Sequence, residues 1–241
     1  MRRRLTVYFP LADPAVPVET IDVYAGAGVD IVEFGWPARN PYLDGPDVSA
    51  SMARALSGAP AAALKAARDR LARKSASPKA LVMTYAERPH PALVERGVFD
   101  GVDGVLVVAP PNDERRAAIE REAREAGAAI SVFVPIVPDP DDEAAAGQAD
   151  FYVMLQAAAG LTGPRASVDP ANAARIARLR ACGVAAPILL GFGVSNGEQA
   201  RAAVDLGADG VVVGSAALRA ALAGRAELKA LLKDLRVGLD G

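Results

Sequence analysis

The sequence predicts a closed α/β domain, a single (β/α)8 TIM barrel that spans residues 1–241. Three observations predict this fold. Eight strand-like runs recur at regular spacing, segments of helical composition separate them, and 241 residues is an ordinary length for such a barrel. Repeated βα units in this number favour a closed barrel over an open, doubly wound sheet.

The strand-like runs are rich in β-branched residues, and several are continuously apolar rather than alternating. Such runs are typical of parallel strands that are covered on both faces. The eight runs are LTVYF (5–9), VDIVEFG (29–35), ALVMTY (80–85), VDGVLVV (102–108), AISVFV (129–134), DFYVML (150–155), PILLGFG (187–193) and DGVVVGS (209–215).

Helical segments between these runs end at glycine, which suits the left-handed helix cap. Residues 114–127, 172–183 and 197–207 show this pattern. The stretches AGAGVDIVEFG, GVDGVLVV and LGADGVVVG each run from a glycine through an aspartate into a strand, a weak internal repeat. The acidic stretch 138–150 is interpreted as the solvated start of a helix.

Composition excludes several classes of function. The formal charge is −2, which is not the footprint of a nucleic-acid-binding protein. No apolar stretch reaches the roughly 20 residues that span a bilayer, so we expect no membrane association and a cytoplasmic location. The lone Cys182 excludes an internal disulfide, and with a single histidine, His90, the sequence predicts no metal site.

Two carboxylates follow the second strand. In a barrel of this kind, catalytic groups come from the carboxyl ends of strands and from the loops after them. Glu33 lies near such an end, where burial would raise its pKa into the range useful for acid–base catalysis. Asp44 lies on the following loop, before Gly45 and Pro46. Two structural alternatives stay open, neutralisation of Glu33 by a nearby arginine such as Arg39 and ordinary Asp-Gly turn chemistry at Asp44.

Glycines cluster after the last three strands. Gly160–Gly163 follows strand six, 191–195 closes strand seven, and Gly214-Ser215 closes strand eight. Loops at these places frequently bind phosphate, because their backbone N–H groups and a helix N-terminus can approach an anion closely. The sequence therefore predicts a phosphate cup, with turns between strand and helix as the structural alternative.

The stretch EFGWPARNPYLDGP (33–46) resembles the motif ELG-x-P-FSDP-x-ADGP of the tryptophan synthase alpha chain family, with the two acids at the same separation. The resemblance continues, in order, through MTYAERP (83–89), GVDGVLVVAPP (101–111), GLTG (160–163) and residues 191–216. It therefore covers nearly the whole chain. Several motifs in one order are more specific than a shared barrel.

This resemblance implies a lyase that cleaves indole-3-glycerol phosphate to indole and glyceraldehyde 3-phosphate by a retro-aldol reaction, without a metal or organic cofactor. It implies that Glu33 is the acid–base carboxylate and that Asp44 accepts the indole N–H. The implied substrate-binding residues are Tyr8, Tyr85, Leu106 and Phe192, and the implied phosphate-binding residues are Gly163, Gly193, Gly214 and Ser215.

The chain departs from the family pattern in several places. Loop 36–43 differs in charge and bulk, and because this loop faces the beta chain in the family's complex, its change bears on a beta-type partner more than on catalysis. The family's helix before strand one is largely missing, since only MRRR precedes LTVYF, and we expect exposed apolar surface at the barrel floor. Trp36 either reshapes the pocket or packs against the loop.

Two other functions stay open at this point. A lyase or aldolase could act on a different phosphorylated substrate in a specialised pathway, with the same acids and cup. A catalytically idle homologue could instead regulate a beta-type partner, but the presence of both acids argues against it.

Overall fold

The computed structural model describes residues 2–74, 77–95, 97–163 and 165–241. Its eight strands form a closed parallel barrel in sequence order, because β1 pairs with both β2 and β8. The strands are β1 (Arg4–Pro10), β2 (Ile31–Gly35), β3 (Lys79–Tyr85), β4 (Gly104–Val108), β5 (Ala129–Val134), β6 (Val153–Gln156), β7 (Ile188–Gly191) and β8 (Gly210–Val213). The predicted barrel and all eight predicted strands are confirmed.

Helices surround the barrel and cover its outer face. They are α1 (Ile21–Gly26), α2 (Pro46–Ala55), α3 (Pro60–Ala72), α4 (Glu114–Glu125), α5 (Pro140–Gly147), α6 (Asn172–Ala181), α7 (Gly197–Asp205), α8 (Ser215–Ala223) and α9 (Arg225–Asp240). The predicted helices at 114–127, 172–183 and 197–207 are confirmed, and the glycine after each has a positive φ. The acidic stretch forms α5, where Asp139 and Asp142 make a capping box.

An aspartate recurs ahead of every even-numbered strand, immediately before β2, β4 and β8 and three residues before β6. Asp30 accepts the backbone N–H of Leu5 at 2.8 Å, Asp103 that of Ala80 at 2.8 Å, and Asp209 that of Ile188 at 2.9 Å. Asp150 accepts the N–H of Ile130 in the same way. Each carboxylate thus binds the start of the preceding odd-numbered strand. The three glycine–aspartate stretches of the sequence, together with Asp150, therefore fix the register between neighbouring strands at the barrel floor.

The expectation of exposed apolar surface at the floor is wrong. Leu5, Ile31 and Val105, which lie near the starts of their strands, are 0%, 2% and 0% exposed. The arginines ahead of β1 lie over this end, where Arg2 pairs with Asp30 and Arg3 with Asp209. Charged side chains and their aliphatic stems therefore cover the floor.

Some predicted strands are too long at one end, for local reasons. β2 begins at Ile31 rather than Val29, because Asp30 is occupied as a floor carboxylate. β7 ends at Gly191, because Phe192 has a φ of 69° and leaves the extended conformation. Among the described residues no helix is both long and apolar enough to cross a membrane. The cytoplasmic location and the single-domain boundary stay predictions.

Candidate active site

A cavity opens at the carboxyl end of the barrel, where β2 and the loop after it bring the two predicted acids together. Glu33 and Asp44 both line this cavity. So do Tyr8, Tyr85, Leu106, Phe192 and Gly214 from the predicted set. Most of the remaining wall is apolar, as expected for a site that takes an aromatic ring. The predicted catalytic and substrate-contact residues therefore share one site.

Glu33 lies inside the barrel, 3% exposed, on the central part of β2. The hydroxyl of Tyr152 donates a hydrogen bond to its Oε1 at 2.8 Å. Burial raises the pKa of Glu33 to about 7, the Tyr152 hydrogen bond opposes this rise, and the nearby charge of Asp44 adds to it. Arg39 is exposed and makes no ion pair with Glu33 in the described structure, so the alternative of neutralisation by Arg39 is wrong.

Asp44 is also buried, 9% exposed, at the end of loop 36–44. Its carboxylate accepts hydrogen bonds from the Tyr85 hydroxyl at 2.7 Å and from the Thr162 hydroxyl at 3.1 Å. Burial raises its pKa to about 6, and these two hydrogen bonds limit the rise. Asp44 also closes a turn, because its N–H donates to the carbonyl of Pro41 at 2.9 Å. This turn covers Pro41–Asp44 and is not an Asp-Gly turn, and the side chain of Asp44 faces the cavity, so the alternative of ordinary Asp-Gly turn chemistry is wrong.

Thr162 connects the acid loop to the glycine-rich turn after β6. Its hydroxyl accepts the backbone N–H of Gly45 at 2.8 Å while it donates to Asp44. Its own N–H donates to the carbonyl of Leu43 at 3.0 Å. A Cβ on Gly45 would lie 2.1 Å from the Thr162 carbonyl oxygen, so only glycine permits this approach. Acid loop and turn are thus joined on both sides of Asp44.

Trp36 packs under the acid loop rather than reshaping the cavity. It is 0% exposed, and its indole N–H donates to the carbonyl of His90 at 3.2 Å. The N–H of His90 in turn donates to the carbonyl of Pro37 at 2.7 Å. Trp36 is not among the lining residues. Its role is therefore to fasten the start of loop 36–44 to the loop after β3.

The remainder of the loop is fastened to the same neighbour. The N–H of Arg39 donates to the carbonyl of Arg88 at 3.1 Å, and the side-chain amide of Asn40 donates to Glu87 at 3.2 Å. Tyr42 packs edge-on against Tyr85, with ring centroids 5.1 Å apart. The residues in which this chain differs most from the family motif are therefore the ones that order its acid loop.

The predicted phosphate cup lies where β6, β7 and β8 end. Gly214 precedes α8, whose first residue is the buried Ser215, and the space beside the Cα atoms of Gly214 and Gly163 is open. Gly193 has a φ of 118°, and the stem of Arg165 covers it. Gly214 lines the cavity itself, whereas Gly163, Gly193 and Ser215 lie outside its lining. Their roles in phosphate binding stay predictions.

Phe192 holds a strained conformation at the cavity wall. Its φ of 69° is unusual for a residue with a side chain, and its ring packs against Phe133 with centroids 5.6 Å apart. Strain of this kind persists where the surrounding structure fixes it. The backbone here turns from β7 toward the glycine cup, so one residue serves both the apolar wall and the turn.

Sequence reasoning missed two polar groups of the site. Tyr152 stood inside a predicted strand, and its two-residue spacing from Met154, which lines the cavity, would have placed both on the inner face. Thr162 stood in the predicted phosphate turn, and no sequence signal connects it to Asp44. Its contact with Asp44 depends on the closure of the barrel, which brings the loop after β2 beside the turn after β6.

Comparison with known proteins agrees with this geometry. The family model described as tryptophan synthase alpha chain matches residues 2–237. The tryptophan synthase alpha chain of Archaeoglobus fulgidus is 31% identical over 98% of this chain and 98% of its own length. That of Pelobacter propionicus is 33% identical over 90% of this chain and 83% of its own.

A solved structure of Mycobacterium tuberculosis tryptophan synthase has a similar fold. It superposes with a TM-score of 0.77 at 27% identity, over 99% of this chain and 93% of that chain. The barrel, the glutamate on β2 and the loop aspartate thus occur together with a match along almost the whole sequence. From these observations we conclude that the chain belongs to the tryptophan synthase alpha chain family.

Proposed function

We propose that this chain is a lyase that cleaves indole-3-glycerol phosphate to indole and glyceraldehyde 3-phosphate, the reaction of its family. The observation that carries the proposal is the pair of buried acids, Glu33 and Asp44, which face one largely apolar cavity with Gly214 on its wall. An aromatic ring fits the apolar part, and a phosphate group fits the glycine-rich end.

Asp44 is proposed to accept the indole N–H and to stabilise the positive charge that develops on the ring. For this role it must be ionised, and its pKa of about 6 keeps it so near neutral pH. The hydrogen bonds from Tyr85 and Thr162 hold the carboxylate in place before substrate arrives. A carboxylate that is already in place in a site without water stabilises a developing positive charge more strongly than it would in water.

Glu33 is proposed to carry the proton. Its pKa of about 7 lets a protonated fraction persist near neutral pH, so it can first protonate the ring carbon that bears the side chain. As a carboxylate it then removes the proton of the adjacent hydroxyl group. The carbon–carbon bond breaks, its electrons return to the ring, and Glu33 is protonated again.

The glycine cup is proposed to hold the phosphate. Gly163, Gly193, Gly214 and Ser215 would present backbone N–H groups there, and α8 adds the positive end of its dipole beyond Ser215. When the phosphate is held in place, it orients the glycerol part of the substrate, which links the phosphate to the ring, so that the bond to be cleaved lies beside Glu33.

We further propose that the chain does not require a beta chain for cleavage, although the family implies such a partner. Loop 36–43, which faces the beta chain in the family, is already bound to the loop after β3 by backbone and side-chain hydrogen bonds. Asp44 is therefore in its bonded position within the isolated chain. The partner is not needed to order it.

Incubation of the purified chain with indole-3-glycerol phosphate tests both proposals. Indole and glyceraldehyde 3-phosphate are followed together, with and without an added tryptophan synthase beta chain. We expect both products in equal amounts, at a rate that the beta chain changes less than about tenfold. No product under either condition contradicts the lyase proposal and favours a different phosphorylated substrate or an idle homologue. Product only with the beta chain contradicts the proposal of independent cleavage.

A further inference from the structure

Tyr8 carries a buried hydroxyl that the proposed mechanism does not use. The residue is 2% exposed and lines the cavity. Among the described residues its hydroxyl has no hydrogen-bond partner. A buried polar group without a partner is costly, so such groups require an explanation. A ligand in the cavity supplies one.

The direction of the side chain shows what the hydroxyl can reach. Tyr8 on β1 is the register partner of Glu33 on β2, and both face the cavity. The phenol ring leans across β2, because a Cβ on Gly35 would lie 2.2 Å from its Cε2 and 2.4 Å from its hydroxyl oxygen. Gly35 follows Glu33 by two positions on the same face of the strand. The hydroxyl therefore lies on the mouth side of Glu33, where substrate enters.

Burial and the charge of the neighbouring acids make the hydroxyl a hydrogen-bond donor. Burial raises the pKa of Tyr8 well above its usual value, and the carboxylates of Asp44 and Glu33 raise it further. The phenol thus keeps its proton throughout a reaction near neutral pH. The neutral hydroxyl can therefore donate a hydrogen bond to an acceptor beside Glu33.

We propose that the hydroxyl of Tyr8 donates a hydrogen bond to the substrate oxygen from which Glu33 removes the proton. This inference rests on the proposed function, because that oxygen is the one that becomes the aldehyde carbonyl. A hydroxyl group close enough to give its proton to Glu33 also lies beside β1. Tyr8 is then a catalytic residue and not only part of the apolar wall.

Tyr8 keeps its own proton during the cleavage step. The proton of the substrate hydroxyl passes to Glu33, and the electron pair left on oxygen forms the new C=O bond. The bond from that carbon to the ring breaks, and its pair cancels the positive charge of the ring. Negative charge grows on the oxygen before the bond breaks, and a donor aimed at it lowers the barrier.

The variant Y8F removes the hydroxyl alone, and Y24F is its matched control. Tyr24 is 0% exposed, and its hydroxyl donates to the backbone carbonyl of Tyr8 at 2.9 Å, outside the cavity lining. Removal of a satisfied protein hydrogen bond lowers stability, whereas removal of an unpartnered hydroxyl does not. We therefore expect Y24F to lower Tm with kcat within twofold of wild type. Y8F should leave Tm unchanged or higher.

The decisive measurements are kcat for indole-3-glycerol phosphate and affinity for 3-(indol-3-yl)propyl phosphate, which has the ring and phosphate but no hydroxyl group. Y8F should lower kcat by at least about tenfold, the loss expected for a donor to a developing anion. Its affinity for the analogue should stay within twofold of wild type. A Y8F kcat within twofold of wild type, or a parallel loss of analogue affinity, overturns this inference alone. An inactive wild-type chain overturns the proposed function with it.

Discussion

The hydroxyl of Tyr152, immediately ahead of β6, lies 2.8 Å from Oε1 of Glu33 on β2, across the barrel. The two residues are far apart in sequence and meet only because the sheet closes on itself. This hydrogen bond favours the ionised form of Glu33, whereas burial favours the protonated form. The pKa of the proposed proton carrier is thus raised by burial and by the charge of Asp44 and lowered by the Tyr152 hydrogen bond, which can be removed alone.

The variant Y152F should raise the pKa of Glu33 further, because it removes the hydrogen bond that stabilises the carboxylate. A bond to a charged group is worth about 1.5–3 kcal/mol, which corresponds to about one to two pH units. With Glu33 protonated in the free enzyme, the alkaline limb of kcat/KM against pH should move upward by about that amount. An alkaline limb at the wild-type position would show that it belongs to another group. Y24F is the control, since it removes a buried hydroxyl that does not touch Glu33.

The variant E33Q should stabilise the protein at pH 8 more than at pH 5. Since the folded pKa of Glu33 is about 7 and its ordinary value is 4.5, the folded state binds the proton more tightly than the unfolded state. The stability that Glu33 contributes is therefore greatest below its ordinary pKa of 4.5, falls as pH rises toward its folded pKa of about 7, and stays low above that pH. Glutamine has no such dependence. Each unit of pKa shift is worth about 1.4 kcal/mol, or about 3–6 °C in Tm for a chain of this size.

Thermal unfolding of E33Q and wild type at pH 5 and pH 8 measures this difference. The exposed Glu125 at the end of α4 offers a matched control, and E125Q should show the same Tm difference from wild type at both pH values. An equal gap for E33Q at both pH values would contradict the raised pKa of Glu33.

The variant T162V should lower kcat/KM by about tenfold without a change of fold. It removes the hydroxyl that donates to Asp44 and accepts from Gly45, so the acid loop loses its bond to the turn after β6. T84V is the control, because Thr84 is fully buried in β3 and its hydroxyl donates, among the residues that the structure describes, only to the neighbouring Tyr85 carbonyl, at 3.3 Å. Equal activities of T162V and T84V would show that Asp44 needs no support from Thr162.

The variant G214L should weaken the binding of glyceraldehyde 3-phosphate at least about tenfold. The space beside Gly214 is open, so a side chain can be accommodated there but would occupy the proposed cup. The φ of −97° and ψ of −93° lie outside the main regions for residues with a side chain, so we also expect a lower Tm, and affinity is measured well below it. G26L makes the same change at an exposed glycine at the end of α1, which also has open space beside it. Unchanged affinity in G214L, measured by calorimetry, would place the phosphate elsewhere.

The sequence was sufficient for features that depend on local pattern. Runs such as DGVVVGS and PILLGFG identify strands because β-branched and apolar residues concentrate there, and Glu33 was found because it is a carboxylate near the carboxyl end of a predicted strand. The ends of the strands were less certain, because residues such as Asp30 and Phe192 belong to floor contacts and turns that the pattern does not reveal.

Contacts between distant segments could not be predicted in this way. The sequence around Tyr152 or Thr162 does not indicate which acid each will bind, because the closure of the barrel determines the partner. The fastening of loop 36–44 by Trp36 and His90 was hidden for the same reason. In the structure, Trp36 and His90 support the loop that carries Asp44.

The most direct test of the account is the rate of indole release from indole-3-glycerol phosphate by wild type and E33Q, each without a beta chain. The variant retains the size of the side chain and an acceptor for Tyr152, but it cannot carry a proton. We predict that wild type releases indole and that E33Q is slower by about 10² to 10⁴, the usual contribution of acid–base catalysis. Indole release by E33Q at the wild-type rate would contradict the assignment of Glu33 as the proton carrier.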